Sequence, residues 1–219
     1  MLYMHGMEQT APLPSSRGRG RGRAPDPQRV AQTRDTILQS ALTIFLERGF
    51  EGARMVDVAA HAGLAKGTLY LHFSDKEALF EFVLQRLISE PLAQMRLEIP
   101  PPGQSLRARL DRLFVPLLED FEETGRASVL RLIIAEGARF PALAAIHQRL
   151  VIDPMMEAID EALDSVPDNC RLQVLRRFPF IIGAPVIMAT VWNELWSRGQ
   201  KADTREVMSA FLDLVFGPI

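Results

Sequence analysis

Cysteine is almost missing from this chain: Cys170 stands alone among 219 residues. No intrachain disulfide is possible, which suits a reducing compartment, and the cytoplasm is the expected location. Cys170 itself reads as a small apolar filler. Histidine is scarce and scattered, at His5, His61, His72 and His147. This spacing offers no metal cluster and no Glu-x-x-His pair of the kind a di-iron bundle needs. Neither a Gly-x-Ser-x-Gly elbow nor a phosphate loop occurs. No catalytic residue, cofactor or metal is therefore expected, and the chain does not read as an enzyme. Long apolar runs are also lacking. The longest uncharged run, Phe178 to Asn193, contains Pro179 and Pro185 and is shorter than the ~20 residues that span a bilayer. It reads as a buried helix. The first 30 residues have no apolar core segment, so neither a secretory signal nor a membrane partner is expected.

The chain does have enough apolar content, 47%, to bury a sizeable core. Its net charge of −2 conceals a strong asymmetry. Residues 1–76 hold ten Lys/Arg and seven Asp/Glu, whereas the remainder holds fifteen and twenty. The basic end suits phosphate and the acidic remainder does not. Four neighbouring carboxylates, Glu119, Asp120, Glu122 and Glu123, read as a solvated helix face.

Apolar residues recur at helical spacing, and no alternating strand pattern appears. Residues 1–26, rich in Pro, Gly, Ser and Arg, have little to bury and read as a disordered arm. A first helix is expected from Asp26 as cap and Pro27 in the first turn to a stop at Gly49. Ile37, Leu38, Ala41, Leu42, Phe45 and Leu46 form its apolar stripe. Ser74 followed by Glu77 reads as a capping box for a helix running to about Leu97, which Pro91 should kink or end early. Pro100, Pro101, Pro102 and Gly103 mark a boundary. Beyond it, helices are expected near 104–123, 126–138, 142–164, 170–197 and 203–216. The fold class is all-α, with about nine helices.

The run D-V-A-A-H-A-G-L-A-K-G-T-L-Y-L-H-F-S-D-K-E-A-L, from Asp57 to Leu79, describes two short helices about a glycine turn and the start of a third. That spacing fits a helix-turn-helix. Gly63 stands where the turn needs a left-handed backbone. With the preceding T-R-D-T-I-L-Q-S-A-L-T-I-F-L-E-R-G-F, the stretch from Thr33 to Phe80 resembles the signature of the tetracycline-repressor (TetR) family of bacterial transcription regulators. The resemblance implies a three-helix DNA-binding head over 27–76 and a helical ligand-binding and dimerisation domain over 77–219. A linking helix at 75–97 would join them. It also implies a homodimer on a palindromic operator in double-stranded DNA, most simply a repressor that a small-molecule effector releases. An activator is the alternative sign of regulation. An architectural DNA-binding protein without effector is the alternative class.

Within the head, Lys66, Gly67, Thr68, Tyr70, Leu71, His72 and Lys76 are the positions that the resemblance places against DNA. Lys66 suits a guanine edge or a phosphate, Gly67 permits close approach, and the Thr68 and Tyr70 hydroxyls suit phosphate oxygens. Leu71 suits a thymine methyl. Leu69 and Phe73 read as core. Tyr70 packed on the first helix and His72 as a local cap are the plain alternatives. The chain departs from the family pattern at Ala65, where a Ser or Thr is usual, and at Ala53 and Arg54, where a Thr cap is usual. Val56 stands where an arginine is frequent, and Arg54 is expected to take over a DNA contact. The Arg/Gly arm, with Arg17, Arg19, Arg21 and Arg23, cannot form a core. It suits a narrow minor groove and resembles the centre of an AT-hook, with a solvated tail as the alternative.

In the second half, the resemblance implies that the apolar helices holding Phe178 to Trp196 and Val207 to Phe216 pair with their copies. A cavity for an apolar or aromatic effector is expected among the middle helices. Phe114, Leu117, Phe121 and Ile134 are candidate lining residues, with Phe140, Ile152, Met155 and Met156. Phe178, Ile182, Met188 and Trp192 complete the apolar set. Glu136, Arg139 and His147 are candidates to orient a polar group, or to pair with one another. The stretch from Leu130 to Leu143 is similar to the C-terminal domains of AefR-like repressors.

Overall fold

The computed structural model describes residues 27–97, 103–164, 166 and 170–217. The expected cap Asp26, the arginine arm and Pro100, Pro101 and Pro102 lie outside them. The architecture is all-α, with no strand among the described residues. The head comprises α1 (Pro27–Gly52), α2 (Met55–His61) and α3 (Lys66–His72). A linking helix follows as α4 (Lys76–Leu84), a wide π-helical turn (Gln85–Ser89) and α5 (Glu90–Leu97). Then come α6 (Leu106–Leu118), α7 (Arg126–Glu136) and α8 (Pro141–His147). A second π turn (Gln148–Ile152) leads into α9 (Asp153–Asp164), and α10 (Cys170–Arg177) follows. A 3₁₀ turn (Pro179–Gly183) opens α11 (Ala184–Leu195), and α12 (Thr204–Phe216) ends the fold.

Two apolar cores hold these helices. The first joins α1–α4 to α7, α8 and the second π turn. Phe45, Phe50 and Phe80 lie at its centre, with ring centroids 5.4–5.8 Å apart. The second gathers α5, α6 and α9–α12 around Leu92, Leu110, Ile159 and Met208. The two π turns pack against each other where the cores meet.

The head is clasped to the body at the end of α1. Gly49 adopts φ +69°, a left-handed conformation that glycine reaches without steric cost, and the chain makes one further turn to Gly52. The Glu136 carboxylate, at the end of α7, accepts from Phe50 N at 3.0 Å and from Glu51 N at 3.3 Å. A Cβ on residue 49 would collide with that carboxylate. From the other side, Lys76 Nζ donates to Phe50 O at 2.8 Å and lies 4.5 Å from the Phe50 ring centroid.

Three local expectations change. The cap of α4 is Asp75, whose carboxylate accepts from Ala78 N at 2.8 Å; Ser74 Oγ donates to it at 2.8 Å. The bond from Ala78, then that from Ser74, holds the Asp75 carboxyl below its ordinary range. Second, the helix reaches Leu97 as expected, but of the two outcomes open at Pro91 it does not end there, and the wide turn precedes the proline. Arg126 Nε donates to Leu87 O at 2.9 Å. Third, the helix expected over 170–197 is two helices separated at Phe178, where the chain turns at Pro179.

Candidate nucleic-acid interface and ligand cavity

Leu69 is fully buried beneath α3, and Phe73 packs against the head core. These two fix which face of the seven-residue helix looks outward. Lys66, Gly67, Tyr70, Leu71 and His72 are exposed, Leu71 at 86%, and Thr68 is half-buried beside them. Lys66 Nζ lies 5.7 Å from the Tyr70 ring centroid, so charge and phenol share one surface. Gly63 supplies the turn before α3 at φ +65°. Neither α2 nor α3 has a side-chain cap, in keeping with Arg54 and Ala65 at the cap positions. Such a hydroxyl cap contributes about 1 kcal/mol.

At the seam between the two cores lies a cavity of about 530 Å³. Its wall is apolar apart from Arg126 and His147. Ile88 of the linking helix, Leu130 and Ile133 of α7, and Val151 and Ile152 of the second π turn all border it.

Residues 37–83 match the family of bacterial regulatory proteins described as the tetR family. The match covers 47 of the 219 residues, from within α1 to near the end of α4. Over 125 residues it is 39% identical to the HTH-type transcriptional repressor BepR of Brucella suis, covering 55% of this chain and 58% of that one. Over 100 residues it is 44% identical to the HTH-type transcriptional repressor KstR2 of Mycolicibacterium smegmatis, covering 45% and 48%. The chain thus spans about half the length of the curated relatives it matches. A crystal structure from Rhodococcus sp., described as a TetR-family transcriptional regulator, superposes with a TM-score of 0.64 at 26% identity, covering 84% of this chain and 99% of that one.

Two candidate DNA residues are engaged within the head. Arg54 donates to Asp57 at 2.9 Å, and Arg48 reaches the same carboxylate. The Arg54 bond, foremost, keeps the Asp57 carboxyl below its ordinary value. The Arg54 side chain nevertheless stays largely exposed. The Lys76 ammonium donates to the Phe50 and Glu51 carbonyls, at 2.8 and 3.3 Å.

The cavity brings together Phe114, Leu117, Phe121, Ile152 and Met155 as expected, with Met156, His147 and Met188. Other candidates are corrected. Arg139 pairs with Glu51 at 2.7 Å, and Phe140 packs on Phe50 with centroids 5.5 Å apart, so both belong to the clasp, like Glu136. Ile134 is exposed and turned away from the cavity. Ile182 is buried in the second core. Phe178 and Trp192 are exposed and stack edge-on with Phe180 and Trp196 instead of lining the space. Arg126, Leu130, Ile133 and Phe180 line it without having been candidates.

Desolvation lowers the His147 imidazole to about 4, against an ordinary 6.5. The unfolded chain binds the proton first on acidification. The stability owed to a neutral His147 is therefore complete above pH 6.5 and is lost as pH falls from 6.5 toward 4. Between pH 7 and pH 5 the protein should lose about 2 kcal/mol more than His147→Gln does. Urea unfolding of both proteins at the two pH values measures this difference, and equal losses would refute it.

Proposed function

We propose that this chain is a ligand-responsive, DNA-binding transcriptional regulator that acts in the cytoplasm. It binds a palindromic operator as a homodimer and is released by a small apolar or aromatic effector. In this reading Lys66, Gly67, Thr68, Tyr70, Leu71 and His72 face DNA, with Arg54 at the edge of the surface. The cavity carries the effector part, because its wall touches both routes to the head. Ile88 lies on the linking helix, and α7 ends in Glu136 on the Phe50 and Glu51 amides. A ligand that prefers one arrangement of these helices shifts the population of head positions. Near-complete release requires about 5 kcal/mol of differential affinity. The linking helix is the lever, and the Pro91 junction its pivot. Repression is the sign we favour, since BepR and KstR2 are named repressors. The AefR-like grouping of the C-terminal helices, on Leu130 to Leu143, belongs to the same proposal.

Genomic footprinting with the purified protein tests this function. Discrete two-fold-symmetric footprints are expected. Continuous coating of DNA would replace the regulator with an architectural protein.

A further inference from the structure

We propose that the cavity takes an amphipathic anion, an apolar body bearing one carboxylate-like group that binds the Arg126 guanidinium. The inference rests on the cavity being the effector site. Arg126 is the one fully charged side chain in a wall that is otherwise apolar but for His147. Its Nε donates to Leu87 O at 2.9 Å, and its Nη1 to Leu117 O and Glu119 O, both at 3.2 Å. Each acceptor is a neutral carbonyl. Nη2 has no hydrogen-bond partner, and no carboxylate lies within ion-pair range of Arg126, among the described residues.

Two other guanidiniums of the body, Arg107 and Arg131, are treated differently. Arg107, 4% exposed, is neutralised by Asp111 at 2.6 Å and Asp213 at 2.9 Å, and Arg131 by Glu122 at 3.0 Å. Bracing three carbonyls accounts for Nε and Nη1 and leaves a free Nη2 and an uncompensated charge. Desolvation pushes the Arg126 guanidinium below its ordinary value, with Asp120 opposing it from a distance. A cation held against an apolar space gains from an anion far more than from a neutral polar group. His147, uncharged at neutral pH, can add a hydrogen bond without a second charge. The surrounding Phe114, Phe121, Met155 and Met156 suit the apolar body.

Three ten-carbon probes with different head groups decide the matter: decanoate, 1-decanol and decylamine. Each is titrated calorimetrically into the full-length protein at pH 7.5, below its aggregation threshold. Decanoate should bind at least about tenfold more tightly than decanol, and decylamine most weakly. In Arg126→Gln the ratio of decanoate to decanol should fall to about one, while Arg126→Lys keeps the preference. Equal binding of decanoate and decanol to the unaltered protein would overturn the anion and leave the apolar cavity as effector site. A decanoate preference that survives in folded Arg126→Gln would also overturn it. Failure of all three to bind would overturn the cavity reading along with it. Should Arg126→Gln not fold, the wild-type ratio and the lysine variant still decide.

Discussion

Lys66→Ala combined with Tyr70→Ala should lower affinity for the footprinted operator by about a hundredfold or more, with no change in thermal stability. Each contact of this kind contributes about 1–3 kcal/mol, so two lost together reach that range. Stability is spared because both side chains lie on the outer face of α3, away from Leu69 and Phe73. The salt dependence separates their roles. A lost phosphate contact reduces the slope of log affinity against log salt by about one, whereas a lost base contact leaves the slope and flattens sequence preference. Leu69→Ala supplies the contrasting case. It removes a fully buried side chain and should destabilise the head by about 2–5 kcal/mol, so any loss of binding would follow unfolding. Fluorescence anisotropy on operator and scrambled duplexes, with melting curves, measures all of this. Unaltered operator affinity in the double variant would remove α3 from the interface.

The outward face of α3 was legible because a seven-residue helix with Leu69 and Phe73 inward leaves little choice for the rest. The left-handed turn at Gly63 was legible for the same local reason. The cap of α4 was misassigned because Ser74 and Asp75 are adjacent and both are good cap formers. The carboxylate reaches Ala78 N, and the hydroxyl supports it. The contacts that the sequence does not announce involve distance along the chain. Lys76, Glu136, Arg139 and Phe140 converge on Phe50 and Glu51, up to 90 residues away, and no periodicity announces such a meeting. Arg126 opens α7. Its role depends on the Leu87 carbonyl of the linking helix, 39 residues away. Trp192, Phe178 and Ile182 show a further limit. Periodicity separates an apolar face from a polar one, but not a cavity from a core or an outer surface.

That outer surface leads to the largest expected effect. On α11, Ala189 and Asn193 are buried, and Asn193 is locked to Ala202 by two bonds of 2.8 Å. Trp192, Leu195 and Trp196 are exposed, and so is Leu214 of α12, at 85%. Large apolar groups exposed on a packed helix pair mark an interaction surface. A second copy of this chain is the occupant proposed, because the surface is formed by the two helices expected to pair. Trp192→Glu with Trp196→Glu should give a folded monomer, since neither indole supports the core. Its operator affinity should fall by about 10²–10⁴, because the second half-site would no longer be bound at high effective concentration. Sedimentation equilibrium and operator titration measure the two effects separately. A dimer that persists with unchanged affinity would move the interface elsewhere, and a wild-type monomer with full affinity would end the dimer reading. The doubly substituted monomer should still bind a single half-site duplex as the parent does, since α3 lies in the other core.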